Sequence, residues 1–307
     1  MRMIYLRRAL SLLVAAAMIV TASSALTGCT TTTDGSGHGF SYSLTSNPKN
    51  LDPQMASDNN SLLVIKNLFE GLMRIDSVGE LIPGAAKSYT VNEENTEFVF
   101  ELREDAKWSN GTPLTAADFE FAWRRALDPR TKSPTCSSLY CIRGAEAINR
   151  GQAEVESLGV TVVNEHTLKV LLEYPYAEFP LQSTLAVYMP CNQEFFESTS
   201  GHYGLSDKYV ISNGPFCFDP EAKEGRYWNP DNYVRMIANA NYSGENTVQP
   251  RILYLGIRKP TTDYYNLLDE TVEAAKIESE NVAKLVTSDY KTFSYTDCTW
   301  GILYNTQ

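Results

Sequence analysis

The residues able to do chemistry in this 307-residue chain are few and scattered. Three histidines stand at His38, His166 and His202, with no cysteine or carboxylate beside them at metal-ligand spacing. No Gly-x-Ser-x-Gly, phosphate-cradling glycine loop or His-Glu-x-x-His occurs, so nucleophilic, nucleotide and zinc-hydrolase chemistry find no motif. The acidic pairs Glu93-Glu94 and Glu104-Asp105 flank a predicted strand and read as solvated surface. A two-carboxylate glycosidase needs a facing pair, and nothing selects one. Eighteen tyrosines and four tryptophans suit an aromatic-lined cleft, and suit cores and strands equally. No enzyme is expected, and no cofactor or metal.

The six cysteines say more. Cys29 closes Leu26-Thr27-Gly28-Cys29, after Arg2, Arg7 and Arg8 and an apolar run from Ala9 to Ala22. A basic start, a short apolar core and small residues before a cysteine describe a secretory signal over residues 1–28. The run is short for a membrane span. Its ending resembles a bacterial lipobox, whose cysteine is acylated, so Cys29 is the expected lipidation site. Acyl chains contribute roughly 0.8 kcal/mol per buried methylene, enough in pairs to hold a protein on the membrane. Residues 29–39, polar and Gly/Ser/Thr-rich, read as a flexible tether.

Export puts the other five cysteines in an oxidising compartment. Cys191 follows Val187-Tyr188-Met189-Pro190, and Cys217 lies in Gly214-Pro215-Phe216-Cys217-Phe218. Both contexts read as strands, and these two are expected to be bridged, for roughly 3 kcal/mol. Cys136 and Cys141 either close a local loop or stay as free thiols, because a helix across them forbids the bond. Cys298 is left over. Removing residues 1–28 deletes three arginines and no acid, which takes the formal charge from −11 to −14. Such a body argues against a nucleic-acid partner and against a basic membrane patch. About 270 residues after the tether suffice for two lobes with cores of their own.

The elements that would position a site are legible in one stretch. Phe98, Phe100 and Leu102 alternate with Glu97, Val99 and Glu101, the period of a half-buried strand. Asn110-Gly111 marks a tight turn. Thr115 with Asp118 starts a helix of capping-box type that carries Phe119, Ala122, Trp123 and Ala126 and stops at Asp128-Pro129. Upstream, Phe40–Leu44 reads as a strand. Leu62, Ile65, Phe69 and Leu72 repeat at helical spacing behind Ser61 as N-cap, with the polar loop Gln54–Asn60 feeding them. Downstream, Leu158–Val163 and His166–Leu172 form a hairpin, and Asn192 caps a short helix through Phe195 and Phe196. Leu253–Ile257 reads as a buried strand, and Thr262 begins a helix through Leu268.

The order of these pieces carries a resemblance. Phe69-Glu70-Gly71-Leu72, Pro83-Gly84-Ala85-Ala86, Ala106-Lys107-Trp108-Ser109-Asn110-Gly111-Thr112-Pro113 and Ala117-Asp118-Phe119 follow one another. The string resembles the extracellular solute-binding proteins of oligopeptide and dipeptide ABC transporters. Looser matches run on through Ser212-Asn213-Gly214-Pro215-Phe216 to Cys298-Thr299-Trp300-Gly301-Ile302-Leu303-Tyr304-Asn305. The pattern departs from the family at Asn239-Ala240-Asn241-Tyr242-Ser243, where Asn-Pro-x-Tyr-Trp is common. It departs again near Asp269–Ala274, where Gly-x-x-Asp is usual.

The resemblance implies an α/β fold, periplasmic-binding-protein-like of type II. Residues 40–69 and 191–297 would form the first lobe, residues 70–190 an inserted smaller domain, and residues 298–307 a crossover strand into a second lobe missing here. It implies a lipid-anchored, extracytoplasmic monomer, periplasmic or on the cell surface, that captures a peptide ligand. The ligand would pass to ABC permease and ATPase subunits. It places the main chain of Ser57, Asp58 and Asn59 along the ligand, with Trp300 on the crossover strand as a further ligand-binding residue. The plainer reading of Gln54–Asn60 is a solvated loop that caps the helix. In the family the partner of a cysteine like Cys298 and the acid that meets a peptide's amino terminus both lie in the second lobe. A chain stopping at Gln307 is therefore expected to fold marginally and bind weakly. The departures leave other solutes open, among them nickel chelates, oligosaccharides and opines. A secreted hydrolase and a surface sensor or adhesin remain as other classes. Consumption of the solute marks the first, and the lack of neighbouring permease genes the second.

Overall fold

Strand β1, Gly39–Leu44, is the first element among the residues described by this computed structural model, namely 39–219, 221–244, 251–259, 263–277 and 279–285. Cys29, His38, most of the tether, Thr262, Cys298, Trp300 and the rest of the crossover segment lie outside the described residues. β1 runs parallel to β11, Ile252–Ile257, with Gly39 opposite Ile252 and Leu44 opposite Ile257. β11 also pairs antiparallel with β10, Tyr233–Ala238. Two short strands, β8 at Phe216–Cys217 and β9 at Trp228–Asn229, take the far side of β10. Parallel neighbours so far apart in sequence require everything between them to be folded as an excursion from this sheet.

The excursion begins with helix α1, Asn59–Leu68, which buries Ser61, Val64, Ile65 and Leu68. It continues through a two-stranded ribbon, β2 at Met73–Ile75 and β3 at Leu81–Pro83. A four-stranded antiparallel sheet follows, ordered β4 (Ala86–Val91), β5 (Glu97–Leu102), β7 (Thr167–Leu171) and β6 (Val160–Asn164). The expected alternation is present in β5, where Phe98, Phe100 and Leu102 are buried and Glu97, Val99 and Glu101 are not. In the turn, Gly111 takes φ 86°. Asn110 acts through its side chain instead, accepting from the Thr112 N–H at 3.1 Å.

Helix α2, Ala116–Leu127, starts at Thr115 and buries Phe119, Ala122, Trp123 and Ala126, as its spacing predicts. The Asp118 carboxylate accepts from the Thr115 N–H at 2.8 Å, which closes the capping box. Shorter helices follow: α3 (Ala145–Asn149), α4 (Phe179–Gln182), α5 (Gln193–Ser198), α6 (Asp263–Leu268) and α7 (Ser279–Leu285). Asn192 caps α5 by accepting from Phe195 N–H at 2.8 Å. The segment before Cys191 is a 3-10 turn over Ala186–Tyr188 and not a strand. Its carbonyls are taken by α2 and by the loop before α1: Trp123 Nε1 donates to Tyr188 O at 2.9 Å, and Gln54 Nε2 to Met189 O at 2.8 Å.

One contiguous apolar core runs through both larger sheets, from Leu44 and Leu255 to Phe98, Trp123 and Leu168. A separate small cluster of Leu267, Val272 and Leu285 lies under α6 and α7. Thr271–Ala275 rests along the outer edge of β1, with Glu273 N–H donating to Ser41 O at 3.1 Å. The Glu273 carboxylate accepts from Ser41 N–H and Oγ. Glu270 holds φ 54°, a conformation open to glycine at no steric cost, in the stretch that departs from the expected Gly-x-x-Asp. Among the described residues no helix is long and apolar enough to cross a membrane.

Candidate functional site

The loop from Leu51 to Asp58, which leads into α1, is tightly held from within. Asp52 and Gln54 are buried and face the guanidinium of Arg125 on α2. Arg125 donates to both Asp52 oxygens, at 2.7 and 2.6 Å, and to Gln54 Oε1. Burial works against the Arg125 charge, but Asp52 outweighs it, so the group is held above its ordinary value. Phe196 and Tyr203 cover the guanidinium, with ring centres 4.5 and 5.5 Å from Cζ. Ser133 Oγ donates to Gln54 O at 2.5 Å. The loop therefore enters Ser57 from a fixed base.

Ser57 and Asn59 are exposed, with Asp58 half-buried between them. Asp58 is extended, at φ −94° and ψ 149°, and serves as the N-cap of α1. This corrects the expected cap at Ser61. The Asp58 carboxylate accepts from the Ser61 N–H at 3.0 Å, so Ser61 is already the third residue inside the helix. Among the described residues no hydrogen bond engages the main-chain N–H groups of Ser57, Asp58 or Asn59, nor the Ser57 carbonyl. The structure thus brings Ser57, Asp58 and Asn59 together on one exposed edge with unspent donors and an acceptor.

At the other end of α1 lies a polar seam that joins four distant segments. Asn213 clamps the Glu70 main chain, accepting from its N–H at 3.1 Å and donating to its carbonyl at 2.8 Å. Gly214 N–H donates to Leu68 O at 2.9 Å, and a Cβ on Gly214 would stand 2.8 Å from that carbonyl. Tyr242 Oη donates to the buried Glu70 carboxylate at 2.5 Å, with Arg74 Nε 3.8 Å away. Burial raises the Glu70 carboxyl above its ordinary value against the pull of Tyr242, Arg74 and Arg103. Ser109 N–H donates to Ser212 O at 2.6 Å, and Asn241 Nδ2 to Ser109 O at 3.0 Å. Phe69-Glu70-Gly71 and Ser212-Asn213-Gly214 were both visible as motifs. Their pairing was not, because 143 residues separate Glu70 from Asn213.

Cys191 and Cys217 are free thiols, so the expected bridge is not formed. Cys191 follows a 3-10 turn against α2, and its N–H donates to Asp118 O at 3.0 Å. Cys217 lies in β8 opposite Ile237. The bridge was inferred from two strand contexts, and only one of them is a strand. Burial pushes each thiol up to about 12. Cys136 and Cys141 are free as well, with a 3-10 helix, Cys136–Leu139, running between them. Among the described residues no group of three or more His, Cys, Asp or Glu could hold a metal.

A surface groove of about 610 Å³ lies along the outer face of α2, between Phe121, Arg124, Val155 and Gln193. It shares no lining residue with the Ser57–Asn59 edge, and each arginine in it is matched by a carboxylate. Arg124 pairs with Glu120 at 3.0 Å, Arg130 with Asp128 at 2.6 Å, and Arg125 with Asp52. The exposed main-chain edge is the better candidate.

Comparison with known proteins decides the family. Residues 80–307 match the family described as bacterial extracellular solute-binding proteins, family 5, middle part. The chain belongs to that family. It is 38% identical over 193 residues to the oligopeptide-binding protein OppA of Bacillus subtilis, covering 60% of this chain and 35% of that protein. It is 30% identical over 243 residues to the dipeptide-binding protein DppE of the same organism, covering 79% and 43%. Among solved structures, the substrate-binding domain of an oligopeptide ABC transporter from Bacillus anthracis superposes with a TM-score of 0.76 at 30% identity. That match covers 82% of this chain and 47% of the other. The fold is thus α/β and periplasmic-binding-protein-like, and the chain spans less than half the length of these relatives. Family 5 membership also accounts for the run of motifs from Phe69 to Phe119, which no single helix or strand explains.

Proposed function

We propose that this chain serves as a lipid-anchored, extracytoplasmic solute-binding component of an ABC importer, with oligopeptides or dipeptides as its solutes. The observation that carries the reading is the exposed edge at Ser57–Asn59, whose main-chain groups are unpaired in a chain with relatives named for oligopeptide and dipeptide binding. A peptide lying along that edge adds as a strand, and backbone pairing is indifferent to the peptide's side chains. Ligand capture without chemistry, and so no enzyme, is the corresponding mechanism. Residues 40–69 and 191–297 act as the first lobe and residues 70–190 as the smaller domain. The seam of Glu70, Asn213, Gly214 and Tyr242 joins the two where the chain passes between them. Trp300 lines the ligand further on, Cys29 carries the lipid, and the monomer delivers its load to permease and ATPase subunits.

The reading is tested by calorimetry of the exported chain against a mixture of tri- to pentapeptides. The described residues offer the ligand one edge, so a dissociation constant of about 1 mM, near −4 kcal/mol, is expected. Peptide that is consumed rather than retained overturns the proposal in favour of a hydrolase, and no heat at any peptide concentration overturns the solute class. The anchor is tested separately. Cys29→Ala should abolish acylation, and a variant that is still acylated refutes the lipidation site.

A further inference from the structure

We infer that Asp58 and Ser61 are positioning residues of the ligand edge, setting the main chain of residues 57–60 without touching the solute. The inference rests on the peptide reading above. The Asp58 carboxylate is turned toward the helix: one oxygen accepts from Ser61 N–H at 3.0 Å and the other from Ser61 Oγ at 2.6 Å. Ser61 is fully buried, and its hydroxyl has further work. It accepts from the N–H groups of Lys49 and Asn50 at 2.9 and 3.3 Å, which fills its one donor and two acceptor positions.

Three more bonds fasten the same loop. Asn60 accepts from Thr45 N–H at 3.3 Å and donates to Ser46 Oγ at 2.7 Å. Trp228 Nε1 donates to Asn47 Oδ1 at 3.0 Å. Residues 45–50 are therefore stapled to the start of α1 at both ends and to β9 in the middle. An ordinary cap needs only the first of these bonds. The remainder make Asp58 and Ser61 the hub through which the loop, the helix and the edge share one geometry.

The chemistry fits a site that reads backbone. With its charge directed at the first turn of α1, where the helix N–H groups carry partial positive charge, Asp58 leaves the edge to main-chain groups and the neutral side chains of Ser57 and Asn59. A peptide's own side chains then meet the neutral side chains of Ser57 and Asn59 at this edge.

The test uses the isotope-labelled full chain with tri-alanine as probe, followed by amide chemical shifts. Wild type should shift at residues 57–60. Asp58→Ala and Ser61→Ala should weaken the titration by about fivefold, the equilibrium consequence of a lost cap. Asp58→Asn keeps an oxygen that accepts from Ser61 N–H but sets an amide NH2, which cannot accept, opposite the Ser61 hydroxyl, so it should weaken the titration part-way, by about twofold. Ile148→Val, a core change on another element, should lower the melting midpoint and leave the titration alone. Asp58→Ala binding as wild type overturns the inference, as does Asp58→Asn binding as wild type, since an ordinary cap would then be enough. Absence of wild-type shifts refutes the peptide reading itself, and amide exchange then decides the inference without ligand. Exchange at Lys49 and Asn50 should accelerate in Asp58→Ala and Ser61→Ala and to a smaller extent in Asp58→Asn, and unchanged exchange in the alanine variants overturns it. Should Asp58→Ala fail to fold, Ser61→Ala carries both measurements.

Discussion

Asp118 shows how one residue can serve two ends that conflict. Its carboxylate closes the capping box of α2 and accepts from Trp108 Nε1 at 3.4 Å, yet it is buried. Burial lifts the carboxyl from its usual 3.8 to about 6, against the hydrogen bonds from Thr115 and Trp108 that favour the ionised form. A raised value means that the folded state binds the proton more tightly than the unfolded one. The group's contribution is therefore full below the unfolded value and is lost as pH rises through about 6. Asp118→Asn keeps an oxygen that can accept from Thr115 and removes the titration. In urea unfolding, the stability gap should move in the variant's favour by about 2–3 kcal/mol between about pH 4 and about pH 8. A gap constant over that range contradicts this account.

At the scale of elements, two backbone positions decide how segments meet. Gly214 passes so close to the end of α1 that a Cβ would lie 2.8 Å from Leu68 C, Leu68 O and Phe69 N. Gly214→Ala should destabilise the chain by about 2–3 kcal/mol by prying the 212–214 turn off Leu68, measurable as a lower urea midpoint at unchanged slope. Stability within a few tenths of wild type would mean that the turn yields freely. Glu270 is the converse case, a glutamate at φ 54° in the turn that leads Thr271–Ala275 onto β1. Glycine there removes a left-handed strain of about 1 kcal/mol, so Glu270→Gly should raise stability by up to that amount. A fall in stability would show that the Glu270 side chain matters more than its backbone.

The whole molecule should open in a definite order. One core links both larger sheets, whereas Leu267, Val272 and Leu285 form a thin cluster of their own. Native-state hydrogen exchange should find amides of residues 263–285 exchanging through local opening. Those of β5, β7, β10 and β11 should exchange through one global event. Separate unfolding of the β4–β7 sheet, with β10 and β11 still protected, would show that the continuous core does not couple the two.

Local alternation and capping chemistry were enough to place β5, the β6–β7 hairpin, α2 and the cap at Asn192, because each depends on residues within a few positions of one another. The cap of α1 lies three residues before the expected Ser61, since Asp58 and Ser61 are both competent caps and the choice turns on Ser61 Oγ being needed by Lys49 and Asn50. The motif string from Phe69 to Phe119 was sufficient for the family. What the sequence could not decide is what it does not record, namely which distant groups meet inside the fold. Arg125 with Asp52, Asn213 with Glu70, and β1 beside β11 are pairings across a folded excursion, where burial removes water and makes each polar group seek a partner. The separation of Cys191 from Cys217 has the same origin. Two cysteines in favourable local contexts bridge only if the fold brings their sulfurs together, and here a 3-10 turn sends one thiol toward α2 while the other stays in β8.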